Sequence, residues 1–562
     1  MNINFVNNSA LDGIVSIGNG NSLNAYPSNT LINCTFLNNV SKRAGGAVKV
    51  GNFCSVEIQD STFRNNSVET LFGENRGGAI FSTGKMAIHN STFLNNKADQ
   101  GGAIWSSGYF DSPDMTITRS YFSGNQAQIG AGLFSGVSNG FSNRVEISNS
   151  TFSRNTAVFS GGGIMFQGSS VQQTLTNVTI AGNRADDAIL GSGAGISLSQ
   201  GNPNVRIFNS LVIGNLSKSS TNTPSDLDGM LHDSSAYNLV GDSGTSAGLV
   251  NGSNSNIVGI DGSGTRPVDS VIDLTPLGYG NNKSHAPIQK SLALNRGSAN
   301  VPGYVAYDQS ETPRGSNSVD APDIGSYEIQ HPLTPVGVPQ TYDRTFQPKP
   351  STSTNEAFIK GLHLSGVFYK GGTGSAGVVF WLNIMNSGTQ TIQQIAYNFL
   401  NSDENRNRQL TSFYRYFLRR EPDIAGMNGW LAQLKSGVDE SVVMNGFILS
   451  AEYSASNTNA QFVDTMYYAI LGRQADTAGF NGWVNALNGG MTRQTVVNAF
   501  VRSSEGITRI VNSYFAAYLK RPATTAELNK FNGLANSQTF GFTASQILGS
   551  QEFLTAAGQY LS

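Results

Sequence analysis

NSTFLNNKADQGGAIWSSG, residues 90–108, sets down a short apolar run, an Asn pair and a double Gly, and the chain repeats that order many times. Aligned on the Asn pair, eight copies run NFVNN (4–8), TFLNN (35–39), TFRNN (62–66), TFLNN (92–96), YFSGN (121–125), TFSRN (151–155), TIAGN (179–183) and LVIGN (211–215). The closing residues Asn8, Asn39, Asn66, Asn96, Asn125, Asn155, Asn183 and Asn215 are separated by 31, 27, 30, 29, 30, 28 and 32. The second half of the unit recurs as GGAV (45–48), GGAI (77–80), GGAI (101–104), GAGL (130–133), GGGI (161–164) and GAGI (193–196).

A fixed period of this length with jitter at the loops marks a solenoid. Within each period the segments alternate and are β-branched or aromatic, as in KMAIHNSTF (85–93) and NRVEISNSTF (143–152), so the unit is built of strands. Three short strands and their turns make one coil of a parallel β-helix. Coils about 4.8 Å apart give a rod about 35–40 Å long for the eight copies. Phe36, Phe63, Phe93, Phe122 and Phe152 are expected to stack as a row inside it. The closing Asn residues are expected both to occupy left-handed turns and to form a hydrogen-bonded ladder, and the Gly pairs to allow a sharp turn.

This pattern resembles the right-handed parallel β-helix repeats of bacterial surface and secreted proteins, including the polymorphic outer-membrane-protein type with its GGAI and FxxN signatures. The resemblance covers about 1–215 and implies the pectin-lyase-like class of fold. Beyond Asn215 the period fades. The later segments look like the closing part of secreted choice-of-anchor proteins, on Asn238 to Asp242, Asp308 and Gln309, Arg314, and Asp323 to Glu328. The Asp-Gln element stands farther from its Arg than that pattern leads one to expect. A rod end needs cover, so 216–330 reads as final irregular coils plus a cap.

The style then changes twice. Residues 331–355, HPLTPVGVPQTYDRTFQPKPSTSTN, read as a semi-extended linker. Next, FYRYFLRREPDIAGMNGWLAQLKSG (413–437) aligns without a gap on MYYAILGRQADTAGFNGWVNALNGG (466–490), carrying Arg420, Asp423, Gly426 and Trp430 onto Arg473, Asp476, Gly479 and Trp483. A third copy follows 513, with Phe531 in the Trp place, and a degenerate earlier one keeps Trp381. Apolar spacing of three and four makes these amphipathic helices. Asp423, Asp476, Asp439, Thr492 and Thr543 read as helix caps, Thr543 with Gln546 as a capping box. Gly426 and Gly479 read as places of close backbone approach. The LGRxxDxxGxxxW core resembles the domain of unknown function family four-two-one-four, across roughly 357–560. The division expected is 1–262 β-helix, incomplete at its N-terminal end, 263–330 β-helix end and cap, 331–355 linker and 356–562 helical repeats.

Composition narrows function. Lys+Arg number 35 against 37 Asp+Glu among 562 residues, so no basic field points to nucleic acid. No stretch has the length and apolarity of a membrane-spanning helix. MNINFVNNSA lacks the basic and apolar parts of a secretory signal and reads as the middle of a repeat, so a start with signal and cap is expected upstream. Cys34 and Cys54 either pair across neighbouring repeats or stand as two buried thiols; the second is preferred, since disulfide scaffolds need more Cys.

Carboxylates are the only candidates for catalysis, Asp186 with Asp187 and Asp226 with Asp228, and turn capping or solvation accounts for each more simply. Neighbouring Asp residues on a strand face opposite ways. His89, His232, His285, His331 and His363 are scattered, with no metal-ligand spacing. No cofactor is called for; calcium at the Asp/Gly/Asn-rich loops near 226–262 is the exception considered. The reading is a secreted or cell-surface structural and interaction protein, adhesin-like, in contact with extracellular polysaccharide or cell-surface components. Its helical module tethers or assembles it, and variable segments such as Lys97 to Gln100 carry recognition. The alternative is a polysaccharide lyase or glycoside hydrolase working on one face of the rod.

Overall fold

The computed structural model describes residues 3–18, 28–69, 75–108, 114–138, 141–142, 144–168, 172–187, 191–198, 204–218, 220–276, 283–288, 291–305, 307–309, 314, 321–328, 354–364, 376–418, 420–455, 457–473, 475–519 and 521–556. The linker read at 331–355 lies outside them up to 353. Contacts divide the chain into two units, Met1–Ser310 with Arg314–Glu328, and Glu311–Pro313 with Ile329–Ser562.

The first unit is a parallel β-helix. One sheet stacks ten strands, from Ile3–Val6 through Thr92–Leu94 to Leu239–Val240 and Ile257–Val258. A second runs from Val15–Ile17 through Ile104–Ser107 to Leu227–Asp228, and a third of seven strands includes Lys85–His89. Alternation decides which side faces in: Met86 and Ile88 are buried, while Lys85, Ala87 and His89 between them are half-buried. Register repeats coil by coil, Phe63 opposite Phe93 and Phe93 opposite Phe122. Phe5, Phe36, Phe63, Phe93, Phe122 and Phe152 therefore stack with ring centroids 4.4 to 4.8 Å apart, the strand spacing itself. Ile180, Val212 and Val240 continue the row. Each buried Phe contributes about 1.5–3 kcal/mol relative to exposure.

The two residues of the Asn pair divide their work, which the sequence reading had given to the second alone. The first takes the left-handed turn, with φ of 55° at Asn38, 54° at Asn65 and 54° at Asn95. The second forms the ladder. Asn66 donates from its backbone N–H and its Nδ2 to Asn96 Oδ1, both at 3.0 Å, and again from Nδ2 to Phe36 O. The same three bonds recur at Asn39, Asn96, Asn125, Asn155 and Asn183. The left-handed residues add a short exposed rung of their own, Asn38 Nδ2 donating to Asn7 Oδ1 and Asn65 Nδ2 to Asn38 Oδ1, both at 3.0 Å, while the buried ladder belongs to the second Asn.

A hydroxyl ladder runs beside the first. Cys34 N donates to Ser61 Oγ, Ser61 N to Ser91 Oγ, Ser91 N to Ser120 Oγ and Ser120 N to Ser150 Oγ. Cys34 thus stands in a Ser position, its thiol donating to Ile32 O as Ser61 Oγ donates to Gln59 O. Both cysteines are buried free thiols, and burial pushes the Cys34 thiol up. At the double Gly, Gly77 has φ of +67°, and a Cβ on Gly78 would collide with Gly102 O of the next coil.

The segment after Asn215 covers both the rod's core and, as a strap, its flank. Leu231, Ala247 and Leu249 join the rod's core. The chain then returns along the outside of the ten-stranded sheet, where Ile272, Ala293 and Ile324 pack on Ala181, Leu211, Ile213 and Leu239. Those outward positions are apolar or hydroxylic, so they need cover as much as the rod end does.

The second unit is helical, with fourteen α-helices among the described residues from Thr354–Leu364 to Gln551–Ala556. Its first copy closes on its last: Phe358 meets Phe553 at 5.8 Å, and Gln393 Nε2 donates to Gly549 O. Trp381, Trp430 and Trp483 pack on Phe399, Phe447 and Phe500 at 5.1, 5.1 and 5.4 Å. Asp423 and Asp476 accept from Gly426 N and Gly479 N, and Asp439 and Thr492 also cap helices. Thr543 does not. Its helix begins one turn earlier at Phe540, capped by Thr539, and Thr543 Oγ1 donates to Thr539 O. Gly426 and Gly479 admit the hydroxyls of Tyr414 and Tyr467 rather than another backbone. Those tyrosines open π-helical turns at Tyr414–Leu418 and Tyr467–Leu471, matched by Phe515–Leu519 in the third copy.

Candidate functional site

The structure does not bring the four candidate carboxylates together. Asp226 is buried and ends the Asn ladder. Its Oδ1 accepts from Asn215 N and Nδ2, and its Oδ2 from Asp242 N. Burial raises its pKa to about 7, against the pull of those N–H donors. Such a value suits a general acid, yet both oxygens face the ladder and not solvent. Asp186 accepts from Arg184 Nε at 2.7 Å, and exposed Asp228 accepts from Ser192 Oγ. Asp187 is half-buried, its N–H bonded to Val158 O. Among the described residues no group of three or more His, Cys, Asp or Glu is placed to hold a metal ion.

The closing-segment residues form the lock of the flank strap. Arg314 and Glu328, both buried, pair at 3.2 Å. Arg314 also donates to Asp323 O, Gly325 O and Asn149 Oδ1 on the rod. Glu328 in turn accepts from Asp323 N, and its own N–H donates to Asp308 Oδ2. Gln309 reaches across to the rod, donating to Ser120 O and accepting from Thr151 Oγ1. Arg314 and Gln309 hold strap to rod, and Glu328, Asp323 and Asp308 fix the strap around them. Beside them His285 is buried with both ring nitrogens unbonded, and burial together with Arg154 lowers its pKa to about 4. His89 sits at the surface of a strand, its Nδ1 2.7 Å from Thr118 Oγ1, and His232 Nδ1 lies 2.9 Å from Ser234 Oγ. His331 lies outside the described residues.

Segment Lys97 to Gln100 is less open than its variability suggests. Asp99 accepts from Asn75 Nδ2 and Gln128 Nε2, and Gln100 Oε1 accepts from Arg76 Nε and Trp105 Nε1. Of the four, Lys97 alone is exposed. Beside it runs an outer aromatic row that sequence reasoning missed: Phe81, Trp105, Phe134 and Met165, with Phe81 and Trp105 stacked at 4.6 Å and the Arg76 guanidinium 4.8 Å over Trp105. Its signal was the large apolar residue following four of the six GGAI-like elements, at 81, 105, 134 and 165.

In the helical unit, Arg420 and Arg473 latch neighbouring helices. Arg420 lies 5.0 Å over the Tyr414 ring, grips Glu452 through Nε and Nη2 and touches Asp423. Arg473 repeats this with Tyr467 and Glu505, and Arg521 with Phe515, Glu527 and Glu552. The paired guanidinium holds Glu452 and Glu505 below the usual carboxylate range.

Against known families, residues 2–174 match the model described as the right handed beta helix region, and 410–457 and 452–510 match the domain of unknown function DUF4214. Among curated proteins, metabotropic glutamate receptor-like protein R of Dictyostelium discoideum is 33% identical over 162 residues, 28% of this chain and 9% of that protein. The chain thus spans under a tenth of that relative's length. No solved structure matches it. The chain joins a right-handed β-helix region to helical repeats of a domain whose function is unknown.

Proposed function

We propose that the chain is a structural and interaction protein displayed outside the cell or on its surface, with the rod presenting loops to polysaccharide or other surface components. The helical unit serves for tethering or assembly. The observation that carries this is the employment of the repeated residues: Asn, Ser, Phe and Gly are all consumed in stacking coils. What varies between coils is the outer row near Arg76, Lys97 and Trp105. Positive and aromatic groups side by side suit glycans and protein loops alike. The test is binding of the intact chain to an array of uronic-acid and neutral glycans and to immobilised cell-wall material. Binding that falls at least about tenfold with Lys97→Ala and Arg76→Ala supports the reading. Binding indifferent to both changes sinks it.

A further inference from the structure

Where the first helical copy meets the last, helices Ile392–Leu400 and Phe540–Leu548 border an open groove of about 380 Å³. This lies at the small end of the roughly 300–1,000 Å³ of ligand sites. No charged side chain lines it; five of its eight lining residues carry Gln or Asn amides near an exposed aromatic. The amides are already oriented by the fold. Gln394 Oε1 accepts from Thr391 N and Gln390 Oε1 from Asn398 Nδ2, which engages the carbonyl ends and leaves two NH₂ groups to donate. Gln393 Nε2 donates to Gly549 O and Gln546 Nε2 to Ser545 Oγ, which leaves two carbonyl oxygens.

The aromatic is particular to this copy. Three residues after the helix caps Asp439, Thr492 and Thr539 stand Val442, Thr495 and Phe542. Phe542 is 37% exposed, beside half-buried Tyr397. Fixed amide donors and acceptors answer ligand hydroxyls, an open ring face answers C–H groups, and the lack of any cation or anion disfavours phosphates, sulfates and uronates.

We propose that this groove binds a short neutral saccharide. The site stands apart from the rod's loops and does not rest on their reading. Saturation-transfer NMR and titration calorimetry on the intact chain, with β-linked glucose and N-acetylglucosamine disaccharides as probes and a glucuronate disaccharide as contrast, decide it. The expected result is neutral-sugar binding that is insensitive to salt and weakened at least about tenfold by Phe542→Ala and, separately, by Gln546→Ala. Phe542 is exposed and Gln546 half-buried, and an unchanged melting temperature verifies each fold. No transfer from the neutral sugars, transfer unchanged in both variants, or salt-sensitive preference for the glucuronate overturns the proposal. Glycan binding lost with Lys97→Ala but kept with Phe542→Ala belongs to the rod, so the two readings fail separately.

Discussion

Removing one rung of the Asn ladder has a cost that follows from its bonds. In Asn96→Ala the backbone N–H of Asn66 loses its acceptor and the Asn66 amide loses one of two. Phe63 O and Asn125 Oδ1 each lose the Asn96 Nδ2 donor. The site is fully buried, so water does not replace them. An orphaned buried donor costs about 1–3 kcal/mol; with the weakened partners and the lost side-chain packing, about 3–5 kcal/mol is expected. Asn96→Asp keeps the acceptor but sets a carboxylate oxygen against two carbonyl oxygens, so at pH 8 it is expected to cost more than Ala. At the ladder's end an Asp is tolerated because Asp226 Oδ2 meets the N–H of Asp242. Stacked coils open locally, so one global transition is the wrong readout. Hydrogen exchange read by mass spectrometry on peptides spanning Thr62–Arg64, Thr92–Leu94 and Tyr121–Ser123 is the right one. A loss of about 3 kcal/mol accelerates exchange there roughly 150-fold. Exchange within about threefold of the parent, or an Asp at 96 harmless at pH 8, refutes the ladder energetics.

Arg314→Met strands the buried Glu328 carboxylate; breaking such a pair costs about 3–5 kcal/mol, so proteases should cut the strap between 291 and 309 much faster while the rod stays protected. An unchanged cleavage rate contradicts the lock. His285, facing Arg154 and Asp273, titrates near 4 when folded and 6.5 when free, so the unfolded chain takes the proton first. Strap stability is therefore full above about pH 6.5 and is lost as pH falls toward 4, by a few kcal/mol at about 1.4 per unit. Hydrogen exchange over 283–288 at pH 5 and 7 checks this, and no acid sensitivity there counts against it. Asp226 runs the other way: raised to about 7, it burdens the ladder end most above pH 7 and relieves it as pH falls toward 3.8. Calcium is expected to leave the melting temperature unchanged relative to chelator, because the carboxylates of Asp226 and Asp242 are occupied by N–H and hydroxyl donors; a clear rise in calcium assigns an ion to 226–262.

Periodicity is why the fold was readable. A residue that recurs every coil lands on its own copy, so Phe93 and Asn96 declare their neighbours from spacing alone. Division of labour within the Asn pair was not readable, because Asn suits both a left-handed turn and a ladder, and only backbone geometry separates Asn95 from Asn96. The strap escaped notice for a related reason: Arg314, Gln309 and Ser326 meet rod residues more than a hundred positions away, and no local period encodes that. Thr543 was misread as a cap since TASQ satisfies the capping-box pattern, while the helix had already started at Phe540. Of the candidate chemistry, the sequence showed which carboxylates exist but not that Asp226 is consumed as the last rung.

Whether any carboxylate on the rod does chemistry is settled by turnover. Intact chain incubated with uronic-acid and neutral glycans should yield neither new reducing ends nor unsaturated products, and Asp186→Ala, Asp226→Ala and Asp228→Ala should change nothing but stability. Products formed by the parent chain and lost in Asp186→Ala or Asp228→Ala, with the fold intact, would contradict the account and make the rod a polysaccharide-cleaving enzyme.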